Sequence, residues 1–288
     1  MQRKFLTGLV CALGVGLAHT AIADTAAGLA ALQTQDNATA AAEFKKAFDG
    51  GDGDGAFYLG RMQELGVGMV ADVAKAAQIY QLGSNLGSAL AKNRLGMLHL
   101  EGVGVLQDYI AAHNLICEAA DQGNADAQYN CGLLYDNGRG VDADPKVAVG
   151  WYAKAAAQNH IGGANLYAAA LMLGQHVEKN EARAVELMQM TANQGNPLGM
   201  FALGQAYANG TGVEADIIQA HAWFNLAAAN QHPQGADARR QVEAGMTSDQ
   251  IKVAQDFARA WKPAAAPAAD DAASAEDGDA ETGANANE

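Results

Sequence analysis

The side chains that could carry catalysis are few, and their spacing matches no known reactive set. A penicillin-recognising serine enzyme requires a lysine three residues after its serine. None of the four serines has one, and Ser88 is followed by Lys92, four residues on. The serines are Ser84, Ser88, Ser248 and Ser274. A serine β-lactamase is therefore poorly supported, and we assign no catalytic residue.

Metal-ligating spacing is absent as well. Two histidines four residues apart on a helix are typical of a zinc site. No such pair occurs among the histidines beyond residue 23, which are His99, His113, His160, His176, His221 and His232. Residues 51–55 resemble part of a calcium loop, but the twelfth position counted from Asp52 is Gln63 and not glutamate. We interpret this segment as a turn between helices and predict no bound metal.

A glycine-rich loop fits the spacing of a dinucleotide-binding fingerprint. Residues 66–71 read Gly-Val-Gly-Met-Val-Ala. That fingerprint requires a strand before the loop and a helix after it. Here a helix is expected before the loop, and glycine suits the left-handed conformation that ends a helix. We therefore predict no nucleotide and no other cofactor.

Two cysteines, Cys117 and Cys131, lie beyond the N-terminal segment. The turn between their two expected helices centres near residues 123–124, six or seven residues from each cysteine. An antiparallel helix pair would place them at similar heights, and a disulfide would contribute about 2–4 kcal/mol. Two buried thiols are the alternative, because Cys131 occupies a core position that is leucine in other copies of the repeat described below.

The N-terminus has the pattern of a secretory signal peptide. Arg3 and Lys4 form a basic start, and residues 5–18 are apolar and uncharged. Ala23 and the small residue two positions before it complete a cleavage site. The apolar run has 14 residues, whereas a membrane span requires about 20. We predict cleavage after Ala23 and a periplasmic or secreted product with no transmembrane segment.

The chain is acidic, with a formal net charge of −14 and a pI near 4.8. Loss of Arg3 and Lys4 on cleavage would take the charge to −16. Phosphate binding requires a surplus of lysine and arginine, so nucleic acid is excluded as the main partner. An acidic surface instead favours a partner with a basic patch.

Four columns of residues recur every 36 positions. The first holds small residues: Gly60, Gly96, Gly132, Ala168 and Gly204. The second holds helix-capping residues: Asp72, Asp108, Asp144, Asn180 and Asp216. The third is alanine: Ala76, Ala112, Ala148, Ala184 and Ala220. The fourth is apolar: Met69, Val105, Val141, Val177 and Val213. Four columns that share one period indicate a repeat protein.

Each copy predicts two helices. A small residue inside the first helix indicates that another helix backbone passes close by, since glycine there costs about 1 kcal/mol against alanine. Loop glycines end the first helix, and the Asp/Asn column caps the second. One helix pair cannot bury its own apolar stripe, but stacked pairs can. We therefore predict an all-α fold, an α/α solenoid.

One stretch identifies a family. Residues 123–141 (GNADAQYNCGLLYDNGRGV), followed by residues 151–156 (WYAKAA), resemble a Sel-1-like repeat, which is related to the tetratricopeptide repeat but has a longer loop. The resemblance implies a right-handed solenoid of about five repeats over residues 24–262, with an N-terminal half-repeat and a C-terminal capping helix. The copies lie near residues 54–87, 88–123, 124–159, 160–195 and 196–231, with the cap at 232–262.

Two regions depart from the repeat. In the fourth copy Ala168 replaces the glycine and His176 replaces the second loop glycine, so the sequence leaves open whether its loop keeps the geometry of the others or the stack bends there. Residues 263–288 contain no Leu, Ile, Val, Phe, Tyr or Trp. Such a tail cannot bury enough surface to fold, and we predict that it is disordered. Thr247 and Gln250 have the spacing of a capping box that would begin the capping helix.

The tetratricopeptide pattern, carried over by resemblance, implies a concave surface lined by the first helix of each copy. The residues placed there are Phe57, Arg61, Asn93, Met97, Tyr129, Leu133, Asn165, Met172, Phe201 and Gln205. Phe57, Tyr129 and Phe201 share one column. As exposed aromatics they would be binding hot spots, whereas aromatics at helical spacing also pack between repeats, and both interpretations stay open.

The resemblance implies a non-enzymatic, exported adaptor of the bacterial envelope that binds a protein or peptide on this surface. The alternative is an enzyme or binder that acts on cell-wall peptides, murein or β-lactams. The absent serine and metal motifs disfavour an enzyme, and a content of three tryptophans is weak support for a carbohydrate binder.

Overall fold

The structure is a computed structural model that describes residues 18–264, with side chains from residue 25. Most of the predicted signal peptide (residues 1–17) and the acidic tail (residues 265–288) lie outside the described residues. The described part consists of helices and contains no strand.

Fourteen helices follow one another along residues 18–264, and twelve of them have 13 residues. Their bounds are α1 Ala18–Gln33, α2 Asn37–Asp49, α3 Gly53–Leu65, α4 Val73–Asn85, α5 Ala89–Glu101, α6 Tyr109–Asp121, α7 Ala125–Asn137, α8 Pro145–Ala157, α9 Ile161–Leu173, α10 Glu181–Asn193, α11 Pro197–Asn209, α12 Ile217–Ala229, α13 Gly235–Glu243 and α14 Ser248–Ala260. The all-α repeat architecture predicted from the 36-residue period is confirmed.

Local signals define where the helices begin and end. Asp72 caps α4, since its side chain accepts a hydrogen bond from the Lys75 amide at 2.9 Å. Gly66 ends α3 in the left-handed conformation with φ 71°, which glycine adopts without steric cost. The same two devices recur from copy to copy, so the helix boundaries follow from residues within one repeat.

The fourth copy keeps the left-handed loop residues of the others, a point that the sequence left open. His176 has φ 59°, in the same left-handed region as Gly68, Gly104, Gly140 and Gly212. A non-glycine residue in this conformation costs about 1–2 kcal/mol. Backbone hydrogen bonds on either side hold the loop, since the Gln175 amide donates to the Ala170 carbonyl at 3.1 Å and the Asn180 amide donates to the Leu171 carbonyl at 2.9 Å.

The glycine column permits close approach between the two helices of a pair. A Cβ atom on Gly60 would lie 2.4 Å from Cε1 of Tyr80, and one on Gly132 would lie 2.5 Å from Cε1 of Tyr152. In the fourth copy Ala168 occupies this column and lies in the same core cluster as Met188, the residue at the tyrosine position. A flexible methionine accommodates the additional methyl group, because its three rotatable side-chain bonds let it fill irregular gaps.

Both ends of the repeat array differ from the prediction. The N-terminal half-repeat is a helix pair, since α1 packs against α2 through Gly28, where a Cβ would lie 2.4 Å from Phe44 Cε1. The C-terminus has two helices, α13 and α14, where one was predicted. The capping box of Thr247 and Gln250 at the start of α14 is confirmed.

The chain divides into two compact units at Ala119 and Ala120, within α6. We call them the N-terminal unit and the C-terminal unit, and each is described by itself. The largest buried side chains of the N-terminal unit include Tyr80 and Phe44. The core of the C-terminal unit includes Met200 and Trp223, and Phe257 of α14 and Trp261, directly after this helix, pack against it.

Candidate protein-binding face

The first helices of the N-terminal unit, α3 and α5, carry four of the ten residues predicted for the concave surface. Arg61, Asn93 and Met97 are half-buried. Phe57 is only 4% exposed. Its ring packs against Tyr58, with centroids 5.1 Å apart, and Tyr80, with centroids 5.9 Å apart. For Phe57 the structure therefore favours packing between helices over the hot-spot interpretation.

A buried ion cluster lies beside Phe57, and sequence analysis missed it. Nε of Arg94 donates to Oε1 of Glu64 at 3.0 Å, and Arg61 approaches Oε2 of Glu64 at 3.2 Å. The hydroxyl of Tyr80 donates to the same carboxylate at 2.5 Å. The Glu64 side chain is 8% exposed. The two guanidinium groups and the Tyr80 hydroxyl all contact one buried carboxylate, and the cluster therefore joins α3, α4 and α5.

The cluster controls the ionisation of Glu64 and Tyr80. Burial alone would raise the pKa of Glu64, but hydrogen bonds from Arg94 and Tyr80 and the charges of both arginines outweigh burial and hold that pKa below its usual range. Burial and the negative charge of Glu64 raise the pKa of Tyr80. At neutral pH the cluster therefore contains an ionised Glu64 and a neutral Tyr80.

The C-terminal unit carries the other six predicted residues on α7, α9 and α11. Gln205 is exposed, and the rest are half-buried: Tyr129, Leu133, Asn165, Met172 and Phe201. The two aromatic residues therefore keep part of their ring surface accessible, unlike Phe57 in the same column. One physical reason lies in the following residue, which is Tyr58 after Phe57 and Ala202 after Phe201.

Planar side chains pair across consecutive repeats of the C-terminal unit. The Tyr129 ring lies 4.8 Å from the His160 ring, and the Phe201 ring stacks on His232 at 4.1 Å with an interplanar angle of 12°. Between them in sequence, Nδ2 of Asn165 donates to Oδ1 of Asn196 at 3.1 Å. The partners are 31 residues apart in every pair. We call these six residues the planar row.

His160 holds its place in the planar row through two further contacts. Its Nδ1 accepts a hydrogen bond from the amide of Gly163 at 3.0 Å, which caps α9. Its Nε2 lies 3.2 Å from Oδ1 of Asp126. A ring whose Nδ1 accepts carries its proton on Nε2 and donates it to Asp126. Sequence analysis missed this role, although histidine replaces the Asp, Ser or Asn that caps the equivalent helix in other copies.

Cys117 and Cys131 are disulfide-bonded cysteines in the structure. Cys131 is fully buried on α7. We retain the disulfide as a proposal for the exported protein, where an oxidising compartment would favour it.

Among residues 18–264, no group of three or more His, Cys, Asp or Glu side chains is arranged to hold a metal ion. Within the same range, no helix combines the length and the apolar composition that crossing a membrane requires.

Helix pairs of fixed length, a small residue at each helix contact and two left-handed residues in each loop, nearly all of them glycine, define the class of protein as an α/α repeat protein. The Sel1 repeat model matches residues 53–88, 89–124, 125–160, 163–196 and 197–232. The chain therefore belongs to the Sel1 repeat family, as the resemblance predicted. Sel1 repeat proteins are generally protein–protein interaction scaffolds, and the fold is typically non-catalytic.

Solved structures with similar folds include a Sel1 repeat protein from Oxalobacter formigenes. It is 21% identical with a TM-score of 0.67, and the match covers 82% of this chain and 98% of that one. A second is c5321, a protective antigen of uropathogenic Escherichia coli, with 24% identity, a TM-score of 0.40 and coverage of 84% and 68%. The similarity to the Oxalobacter formigenes protein shows the fold alone. No curated protein matches the chain.

Proposed function

We propose that this protein is an exported scaffold of the bacterial envelope and binds a protein or peptide segment along its first helices. The observation that carries the proposal is the planar row of the C-terminal unit. Its rings and amides are half-buried, so each is fixed on one side by the neighbouring repeat and keeps part of its surface accessible.

The chemistry of the planar row suits an extended peptide. The rings of Tyr129 and Phe201 offer apolar faces for side chains, and aromatic residues are enriched among binding hot spots. The Asn165 amide lies between them in the repeat order, and amides can bond both groups of a peptide backbone. Because the two side chains of each pair in the planar row hold each other in place, they lose little conformational freedom when a peptide binds.

Charge and targeting support the remaining parts of the proposal. The net charge of −14 favours a bound segment rich in lysine or arginine. The signal-peptide pattern of residues 1–23 supports export. Cleavage after Ala23 would remove the first six residues of α1 and leave Gly28 against Phe44. Cell fractionation and N-terminal sequencing test this part, and a mature chain that begins at Asp24 is expected.

Site-specific photocrosslinking in living cells tests the binding face. A photoreactive amino acid replaces Gln205, the exposed first-helix residue, in the full chain. A matched control carries it at Glu186 on α10, a second helix, whose side chain is 64% exposed. We expect an adduct from position 205 that is absent at position 186. The adduct should be lost when Asn165→Ala and Phe201→Ala are added.

Adducts at both positions in equal yield would contradict a specific first-helix face. An adduct at position 205 that survives the loss of Asn165 and Phe201 would contradict the planar row as the binding element. Circular dichroism of each variant shows whether the helices are intact. An adduct with murein fragments instead of protein would replace the proposal with the cell-wall alternative.

A further inference from the structure

The loops that join α3 to α4 and α5 to α6 expose large apolar side chains. Val70 is 86% exposed and Leu106 is 88% exposed. They occupy one repeat position, where the next three copies have Asp142, Glu178 and Glu214. Because the fold accepts carboxylates at this position, its core does not require an apolar residue here.

Three further exposed apolar side chains lie in the same two loops or at the start of α6. Met69 is 39% exposed, Val103 46% and Ile110 65%. We call these five residues the loop patch. Single exposed apolar residues are normal on protein surfaces, but a contiguous group marks an interaction site.

The two loops lie side by side. A Cβ atom on Gly104 in the second loop would lie 2.9 Å from the carbonyl carbon of Val73, which begins α4 directly after the first loop. The second loop therefore rests on the end of the first. Val70 and Leu106 therefore lie at equivalent positions of two neighbouring loops.

Hydrogen bonds hold both loops in place. Nε2 of Gln63, a buried side chain, donates to the carbonyl oxygen of Val70 at 2.8 Å. One repeat later, the Nδ1 of His99 lies 3.1 Å from the carbonyl oxygen of Leu106. Since each carbonyl is fixed against its own first helix, the apolar side chain beside it is kept in solvent. The loop patch is thus ordered before any partner binds, which lowers the entropy cost of binding.

Carboxylates follow the same edge of the N-terminal unit. Asp36, Asp72 and Asp108 are exposed N-caps, one per repeat. Hydrogen bonds from the hydroxyl and the amide of Thr39 lower the pKa of Asp36, which is therefore ionised at neutral pH. The positive end of each helix dipole offsets only about half of a unit charge. The rim of the loop patch therefore stays negative.

We propose that the loop patch docks an amphipathic helix whose apolar stripe is flanked by lysine or arginine. The exposed apolar side chains of the two neighbouring loops would receive the stripe, and the carboxylates of Asp36, Asp72 and Asp108 would receive the flanking lysine or arginine. A second copy of this acidic chain would oppose one row of carboxylates to another, and an anionic membrane would be repelled in the same way. The loop patch lies within the N-terminal unit and is separate from the planar row.

Fluorescence anisotropy with two designed helical peptides tests the proposal on the mature chain, residues 24–288. Both peptides carry leucine at positions i, i+3, i+4 and i+7, with a polar face of lysine in one and glutamate in the other. The variant V70N/L106Q removes the apolar contacts without adding charge. The control L173Q changes a leucine that is 63% exposed in the C-terminal unit.

We expect the wild type and L173Q to bind the lysine peptide equally, and V70N/L106Q to bind it at least about 10-fold more weakly. The glutamate peptide should bind the wild type at least about 10-fold more weakly than the lysine peptide. The variant D72N/D108N should reduce this preference by several-fold while keeping the helix caps, since Asn180 caps α10 in the same way.

Equal affinity of V70N/L106Q and the wild type would overturn the proposal, as would the absence of a preference between the two peptides. Sedimentation velocity and co-sedimentation with phosphatidylcholine vesicles test the other occupants. If the wild type binds neither peptide but self-associates or binds vesicles, and V70N/L106Q abolishes that binding, the proposal is overturned in favour of a second copy or a membrane. Circular dichroism confirms that each variant is folded.

Discussion

The two compact units use the same repeat positions for different surfaces. In the loops, the N-terminal unit exposes Val70 and Leu106 where the C-terminal unit has Asp142, Glu178 and Glu214. On the first helices, the C-terminal unit is the one with the more accessible apolar side chains. The N-terminal unit buries Phe57 beside an ion cluster, whereas the C-terminal unit leaves Tyr129 and Phe201 half-buried in the planar row.

This difference separates two kinds of position within one repeat. Helix caps, loop glycines and the small-residue column are nearly constant, since each is required by helix boundaries or by close helix contact. Positions that lie outside these contacts vary, and their variation distinguishes one binding surface from another. The constant positions should therefore control stability, and the variable ones should control binding.

The largest expected effect comes from the ion cluster of the N-terminal unit. Glu64→Gln removes the negative charge that Arg61 and Arg94 contact, and we expect a loss of about 3 kcal/mol, the low end for a broken buried pair because both arginines are partly exposed. In the C-terminal unit, Asp136 accepts from the Tyr152 hydroxyl at 2.6 Å but is exposed. Asp136→Asn should therefore cost less than about 1 kcal/mol. Urea denaturation of both variants measures the two losses of stability, and equal losses would contradict the expected difference between the units.

The effect of Glu64→Gln should depend on pH. The pKa of Glu64 is lowered in the folded protein, so the unfolded chain binds this proton more readily. The stabilisation by Glu64 is then present above its unfolded pKa, near 4.3, and is lost as the pH falls through the folded value. Urea midpoints of the wild type and Glu64→Gln should converge between about pH 5 and pH 3. A difference between the two urea midpoints that stays constant over this range would contradict the lowered pKa of Glu64.

The small-residue column should resist enlargement where its neighbour is rigid. Gly132→Ala would place a methyl group 2.5 Å from the Tyr152 ring, and we expect a loss of about 1–3 kcal/mol despite the higher helix propensity of alanine. Ala168→Gly, at the same position beside Met188, should cost about 1 kcal/mol through propensity alone. Thermal melts followed by circular dichroism compare the two, and a stabilising Gly132→Ala would refute the close-packing argument.

The smallest expected effect is a gain in stability. His176→Gly should stabilise the protein by about 0.5–1 kcal/mol, because glycine removes the strain of a positive φ and loses part of that gain to chain entropy. The stability of His176→Asn should fall between those of the wild type and His176→Gly, since asparagine tolerates this conformation better than most residues. The urea midpoint measures both. A loss of stability in His176→Gly would indicate that the histidine side chain makes a contact that outweighs the strain.

Much of the fold could be predicted from local patterns. The 36-residue period, the Asp/Asn caps and the loop glycines placed the helix pairs, because each signal acts within one or two helical turns. The errors and open points lie where no local signal exists. Helix α13 has no side-chain cap at Gln234, and the left-handed His176 is held by backbone hydrogen bonds on either side of it and not by its own preference.

The binding face was predictable only in part. Resemblance placed ten residues on the first helices, but Phe57 and Tyr129 share a column and differ in burial. The pairs of the planar row were missed, although a second spacing of 31 residues links Tyr129 to His160 and Phe201 to His232. Arg94 and Glu64 are 30 residues apart, and no motif joins them.

The sequence alone determined the length, order and boundaries of most helices, since capping and helix propensity depend on neighbours along the chain. It also determined that stacked pairs must share a core, because one pair cannot cover its own apolar stripe. Only the tertiary structure decided which side chains of a column face solvent, since burial depends on the size of neighbours a whole repeat away. For the same reason it alone brought Glu64 to Arg94 and left Val70 and Leu106 exposed.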